Sequence, residues 1–352
     1  MAQAFFGGIH PNDKKEATNK KPIEALPPPA RVVIPMSLHI GAPCTPCVAV
    51  GDYVTVGQQV GEASAFVSAP VHASISGTVK AVEPRIHFSG VPVMSVVIEN
   101  DFNEIPCPDR RPPADPDHLT AEQITDIVKA AGIVGMGGAT FPTHVKIASG
   151  IGKVDTVIVN ASECEPYITS DHRLLVECPD EILGGVKILA RLFGVDQVHI
   201  AVEFNKFNAA EMLRMKIEEE KAPAVVDILH TRYPQGAEKQ LCQSITGRQV
   251  PPGALPAAIG CAVFNVVTTR AIYQAVYQGK AVTHRVVTVS GSGVKNPRNL
   301  LCPIGTPICE LLDACGGVEK STFKILMGGP MMGHAQYDMD APIGKGTNAI
   351  LA

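Results

Sequence analysis

Gly135-Met136-Gly137-Gly138-Ala139-Thr140-Phe141-Pro142 is followed, one helical and one strand-like segment later, by Asn160-Ala161-Ser162-Glu163-Cys164-Glu165-Pro166. Glycines have no Cβ, so the first stretch lets backbone amides approach a phosphate or a flat ring. Pro142 suits the first position of a helix running to Ser149. Val154 to Val159 is a continuous apolar run of the kind buried on both faces of a parallel sheet. The acidic loop therefore follows the carboxyl end of a strand, where open α/β sheets bind ligands.

The alternation extends both ways. Upstream, Thr120-Ala121-Glu122-Gln123 reads as a capping box opening a helix to about Ala131. Downstream, Ile182 to Phe193 has helical amphipathic spacing, Gln197 to Val202 reads as a strand and Ala209 to Glu220 as a charged helix. Residues 119–280 are thus expected to form a Rossmann-like α/β domain.

The flanks differ. Residues 1–30 are polar and proline-rich, which predicts an extended arm that tethers rather than packs. Residues 31–100 consist of short apolar stretches punctuated by turns, which predicts an all-β module. That module resembles the barrel-sandwich hybrid of biotinyl and lipoyl carriers, but no lysine stands between Gly61 and Thr78 to carry a swinging arm. Its expected use is docking. A proline-rich linker covers 101–118. Residues 281–333 read as a β-grasp-like domain, with a strand at His284 to Ser290 and a helix from about Thr306 to Ala314, and 334–352 as a C-terminal segment leading onward.

Composition narrows the function. A chain of 352 residues that is 45% hydrophobic can bury a large core. Its net charge of -4 and scattered Lys/Arg give no footprint for nucleic acid. No apolar run reaches the roughly 18 residues of a membrane span. Ten cysteines without framework spacing read as reduced cytosolic thiols. Cys44 and Cys47 form the sole Cys-x-x-Cys pair, and Cys302, Cys309 and Cys315 lack cluster spacing, so no metal site is expected within the chain.

The binding residues follow from the chemistry of a flavin mononucleotide, which offers a phosphate dianion and a ring edge of donors and acceptors. The Gly135 to Ala139 loop supplies amides, and Lys146, one turn into the next helix, supplies charge. Glu163 and Glu165, one residue apart in an extended loop, would point the same way, accept from ribose hydroxyls and repel the extra phosphate of NADP. Tyr233-Pro234-Gln235-Gly236-Ala237-Glu238 brings a ring, a glycine and a carboxylate near another expected strand end.

These segments, with Asn265-Val266-Val267-Thr268, come in the same order as in the NADH-binding flavoprotein subunit of respiratory complex I. The chain most resembles the C subunit of the Rnf electron-transport complex, through Phe6-Gly7-Gly8-Ile9-His10-Pro11, Pro35-Met36-Ser37-Leu38-His39-Ile40-Gly41-Ala42-Pro43, Met327-Gly328-Gly329-Pro330-Met331-Met332-Gly333 and Gly344-Lys345-Gly346-Thr347. The resemblance implies NADH oxidation on noncovalent FMN, with a C-terminal domain of the SLBB type. It places Gly135, Gly137, Gly138, Ala139, Lys146, Asn160 and Asn265 on FMN and Phe141, Glu163, Glu165 and Glu238 on the nicotinamide side. Ser162, Tyr233, Gly236 and Thr268 belong to the same motifs. Met136, Ala237 and Phe264 depart from the complex I pattern, where an arginine, an acidic residue and a further asparagine stand.

No side chain is expected to act as general acid or base, since hydride would pass directly to the flavin. The Rnf family continues into a ferredoxin segment with two 4Fe-4S clusters. Those motifs are not in these residues, so the electron outlet is expected elsewhere. The resemblance further implies membrane-embedded and ferredoxin-like partner subunits and a peripheral place on the cytoplasmic side of the cell membrane. Two alternatives remain: a cobalamin reductase of diol-degrading microcompartments, which shares the flavin pattern, and a non-catalytic docking scaffold.

Overall fold

The computed structural model describes residues 5–109 and 111–352; the first four residues of the expected arm, and Arg110 in the linker, lie outside them. At the centre is a four-stranded, all-parallel sheet in the order Ala224–Leu229, Val198–Glu203, Thr156–Ala161, Cys261–Asn265. The chain leaves Thr156–Ala161 first towards one edge and later returns to its other side. The topological switch point therefore lies at the carboxyl ends of Thr156–Ala161 and Cys261–Asn265, where an open α/β sheet leaves a crevice.

Local signals account for the helices around it. Thr120 caps the helix Ala121–Ala130 by accepting from the Gln123 amide (3.2 Å), while the Gln123 side chain accepts from the Thr120 amide (2.8 Å). Pro142 stands one position earlier than expected, as the cap of Thr143–Gly150. Pro179–Phe193 ends at Gly194 in the left-handed conformation (φ 64°), which a residue without Cβ adopts without strain. This helix packs on Val266–Gln278 at close range: a Cβ built on Gly185 would lie 2.1 Å from the Thr269 carbonyl oxygen.

Residues 31–100 fold into two small antiparallel sheets, one ordered Arg31–Pro35, Pro92–Asn100, Gly77–Ile86, Tyr53–Val54, the other Thr45–Pro46, Gln59–Glu62, Val71–His72. Their inward side chains, including Val32, Ile34, Val79 and Ile98, join one apolar core with Ile124, Val128 and Val159 of the central domain.

The C-terminal sheet corrects two expectations. Its order is Ile23–Ala25, Arg298–Pro303, His284–Ser290, Ala349–Leu351, Ile325–Met327, His334–Gln336. The arm therefore packs: Ile23–Ala25 is an edge strand, Leu26 is in the core, and Lys15 and Thr18 are buried. The domain expected to close at 333 continues past it, since Ala349–Leu351 is an inner strand between His284–Ser290 and Ile325–Met327. Both edges of that slot expose backbone groups that only a long-range strand can satisfy. Among the described residues no helix is long and apolar enough to cross a membrane.

Replacing Gly185 by Ala forces the two packed helices apart, and its expected cost is about 1–3 kcal/mol of stability. Denaturant unfolding measures it; a midpoint equal to wild type would show that the helices can separate freely.

Candidate flavin site

The site is built on the switch point. Asn160 and Asn265 are register partners on the two strands that flank it. Asn265 caps Val266–Gln278 by accepting from the Val267 amide (2.8 Å), and its Nδ2 donates to Asp171 Oδ2 (2.7 Å). The Asn160 Nδ2 donates to the Gly236 carbonyl (2.8 Å), which draws the 233–238 segment to the same end of the sheet.

The glycine loop closes over this end. Gly135 N–H donates to the Phe141 carbonyl (2.9 Å) and Thr140 N–H to the Gly135 carbonyl (3.2 Å), making a tight turn. Thr268 Oγ1 accepts from the Met136 amide (2.9 Å) and donates to the Val134 carbonyl (3.1 Å). Gly137 lies so near Asn265 that a Cβ would fall 2.4 Å from its Nδ2, whereas a Cβ on Gly138 meets nothing within 4 Å. Gly137, Gly138 and Ala139 are exposed. Among the described residues no acceptor is bonded to their three amides. Successive free amides bordering open space form an anion cradle, so the residues fit a flavin phosphate.

Several expected ligands are engaged otherwise. Lys146 Nζ donates to Glu238 Oε1 (2.5 Å) and to the Val263 carbonyl (2.9 Å), so the two residues assigned to opposite ends of the cofactor form one ion pair. Glu163 and Glu165 do not point the same way, because Glu163 has φ 48° and the loop is not extended there. The Glu163 carboxylate turns inward and accepts from the amides of Asp171 (2.7 Å) and His172 (3.4 Å) at the start of the helix Ser170–Glu177. Burial pushes its carboxyl up to about 7, against the pull of the Lys15 charge 3.8 Å away. Glu165 reaches the opposite way and accepts from the Met331 amide (2.9 Å); partial burial raises its carboxyl, and that amide holds it down. Ser162 is buried, and among the described residues its hydroxyl has no partner. Tyr233 pairs through its backbone with Ile9 (2.8 and 2.9 Å), and Phe141 lies half-buried beside the loop.

Other residues hold the site together and carry no sequence signal of doing so. Lys15, from the arm, is buried and donates to the carbonyls of Glu163 (2.9 Å), Glu165 (3.0 Å) and Ile168. Lys206, fully buried, donates to the Ser162 carbonyl and to Glu203 Oε2 (3.1 Å). Neither is singled out by the sequence. Asp171, which accepts from Asn265, is not marked by the sequence either. A cavity of about 1350 Å³ lies elsewhere, between the β module and the helix Val266–Gln278, lined by His72, Cys107, Arg270 and Lys280 among others. Cys44 is buried and donates to the Ala69 carbonyl (3.1 Å). Among the described residues no group of three or more His, Cys, Asp or Glu could hold a metal ion.

Comparison with known proteins agrees with this architecture. Family profiles match in three blocks: the RnfC barrel sandwich hybrid domain over residues 3–103, the Nuo51 FMN-binding domain over 128–274 and the SLBB domain over 286–335. The C subunit of the Na(+)-translocating ferredoxin:NAD(+) oxidoreductase complex of Acetobacterium woodii is 48% identical over 99% of this chain and 78% of its own. The chain belongs to the RnfC family. A second RnfC relative, the C subunit of the proton-translocating ferredoxin:NAD(+) oxidoreductase complex of Clostridium ljungdahlii, is 43% identical over 100% of this chain and 77% of its own. Among solved structures, the NAD+-reducing [NiFe]-hydrogenase in its H2-reduced state superposes with a TM-score of 0.56 at 22% identity, covering 69% of this chain and 49% of that one. That likeness shows that the RnfC fold is shared.

The inward carboxyl of Glu163 has a pH signature. The folded chain holds this proton more tightly than the unfolded chain, whose value is 4.5, so the stabilisation is complete below pH 4.5 and is lost as pH rises towards 7. Relative to Glu163→Gln, which keeps an acceptor for the helix start, wild type is expected to lose on the order of 1–3 kcal/mol across that window. The difference between the two unfolding curves cancels titrations common to both, such as that of His172. Parallel curves would rule out a carboxyl raised by burial.

Proposed function

We propose that this chain is the NADH-oxidising flavoprotein subunit of an Rnf-type membrane electron-transport complex, part of a reversible ferredoxin:NAD+ oxidoreductase. The observation that carries the reading is the run of free amides at Gly137, Gly138 and Ala139 opening onto the switch-point crevice. The domains and names of its relatives support it.

FMN, when bound, supplies a hydride acceptor that can release electrons singly. The chain's residues bind and orient. The three amides hold the phosphate dianion, each charge-assisted bond contributing about 1.5–3 kcal/mol. Lys146 adds positive charge and is kept in place by Glu238. Asn160 and Asn265 set the width of the crevice, and Gly135 and Thr268 fix the turn. Phe141 and Glu165 border the nicotinamide side, with Glu165 the carboxylate left to meet ribose hydroxyls and repel a 2′-phosphate; Glu163 serves that loop from within. Direct hydride transfer leaves no proton for a side chain to move in the chemical step, so the contribution is alignment and exclusion of water. Iron-sulfur clusters outside these residues would take the electrons onward. Membrane-embedded and ferredoxin-like subunits are the partners, and the place is peripheral, on the cytoplasmic side of the membrane.

Anaerobic titration of the FMN-loaded chain tests the reading: NADH is expected to bleach the flavin absorbance and NADPH to leave it. A chain that binds no flavin would be a scaffold. At Gly138 a Cβ meets nothing within 4 Å, so Gly138→Leu is expected to cut FMN affinity at least about tenfold, by lost contacts of 1.4 kcal/mol or more, with the thermal midpoint unchanged. Glu165→Gln is expected to weaken NADH more than FMN; equal losses would remove Glu165 from the nicotinamide side.

A further inference from the structure

Arg285 stands at the start of the strand His284–Ser290, in the C-terminal domain, and is 1% exposed. Its Nε donates to the Thr347 carbonyl (3.1 Å) and its Nη2 to the Met136 carbonyl (3.1 Å). Among the described residues its Nη1 is buried with no acceptor. The opposite charge that it feels is Asp171, whose Oδ2 is taken by Asn265. A guanidinium thus sits immediately behind the glycine loop with part of its charge unmatched.

The contact with Met136 has a geometric consequence. A trans peptide is planar, and its C=O and the following N–H point in opposite directions. Fixing the Met136 carbonyl on Arg285 therefore turns the Gly137 N–H away from the interior, towards the open side of the loop. The preceding peptide is pinned as well, since the Met136 amide is held by Thr268 Oγ1 (2.9 Å). A hydrogen bond from a cation also polarises the peptide and strengthens its N–H as a donor. Without that bond, Gly137 could rotate and the cradle would lose its first amide.

We propose that Arg285 is the positioning residue of the anion cradle: reaching from the C-terminal domain, it orients and polarises the Gly137 amide towards the phosphate of a bound flavin nucleotide. This rests on the flavin reading and deepens it. It makes the central domain's phosphate site dependent on a residue of another domain.

The test compares FMN with riboflavin, which has the same ring and no phosphate. The intact chain is stripped of flavin, and each ligand is titrated by fluorescence quenching into wild type, Arg285→Met and Arg285→Lys. For Arg285→Met, FMN is expected to bind roughly tenfold to a hundredfold more weakly while riboflavin changes by less than about twofold. Equal weakening of both ligands would make Arg285 a structural residue, and unchanged binding of both would remove it from the site; either result overturns the proposal. Should Arg285→Met not fold by circular dichroism, Arg285→Lys decides. Lysine keeps the charge but lacks the guanidinium fork, so the ratio of FMN to riboflavin affinity is expected to fall at least about threefold, and an unchanged ratio overturns the proposal. Wild type that binds neither flavin defeats the flavin reading itself, a result distinct from any seen only in the variants.

Discussion

The ammonium group of Lys345 joins the three domains. It is 1% exposed and donates to the Pro70 carbonyl of the β module (2.8 Å) and to the Gly132 carbonyl at the entry to the glycine loop (2.6 Å). Burial pulls its ammonium down to about 8, the expected consequence of taking a cation out of water for two neutral acceptors. The approach leaves no room at Gly132, where a Cβ would lie 2.4 Å from the Pro70 oxygen and where φ is +68°. Next in sequence, Gly346 lies against Thr140 at the far end of the loop. The loop is therefore held by the parallel sheet on one side and by the C-terminal segment on the other.

The acidic loop is held in the same way. Lys15 and Lys206 between them bond carbonyls of Ser162, Glu163, Glu165 and Ile168. A loop that turns inward has to satisfy such groups or pay their desolvation. Two of its residues, Glu163 (φ 48°) and Tyr167 (φ 69°), adopt left-handed backbone without being glycine, a strain of order 1–3 kcal/mol each that surrounding contacts must offset. The offset comes from the buried ammonium groups and from the helix start on which Glu163 is used. Preorganisation of this kind holds Glu163 inward on the helix start and Glu165 on the Met331 amide.

Much of the architecture was legible because it follows from neighbours in sequence. The Thr120 capping box, the apolar run before Asn160 and the helical spacing that ends at Phe193 act through residues one to four positions apart, and the helix start, the strand and the helix end appear within a residue or two of where the pattern puts them. The helix Ser170–Glu177 was not legible, since no side chain of its own cap residue marks its start. Its capping group is the Glu163 carboxylate, eight and nine residues upstream of the two amides it accepts from.

By itself the sequence determined the alternation of the central domain, its parallel sheet and the placing of the acidic loop at a strand end, because hydrophobic periodicity, caps and glycine placement are local properties of the chain. Only the tertiary structure decided which groups in the binding loops are free. Lys15 reaches Glu163 across 148 positions, Lys146 reaches Glu238 across 92 and Arg285 reaches Met136 across 149. It also decided that Ala349–Leu351 fills the inside of a sheet. The reason is the same in each case. A buried charge or an open strand edge must find a partner, and which partner it finds depends on what the fold brings within about 3 Å, which no spacing along the chain encodes.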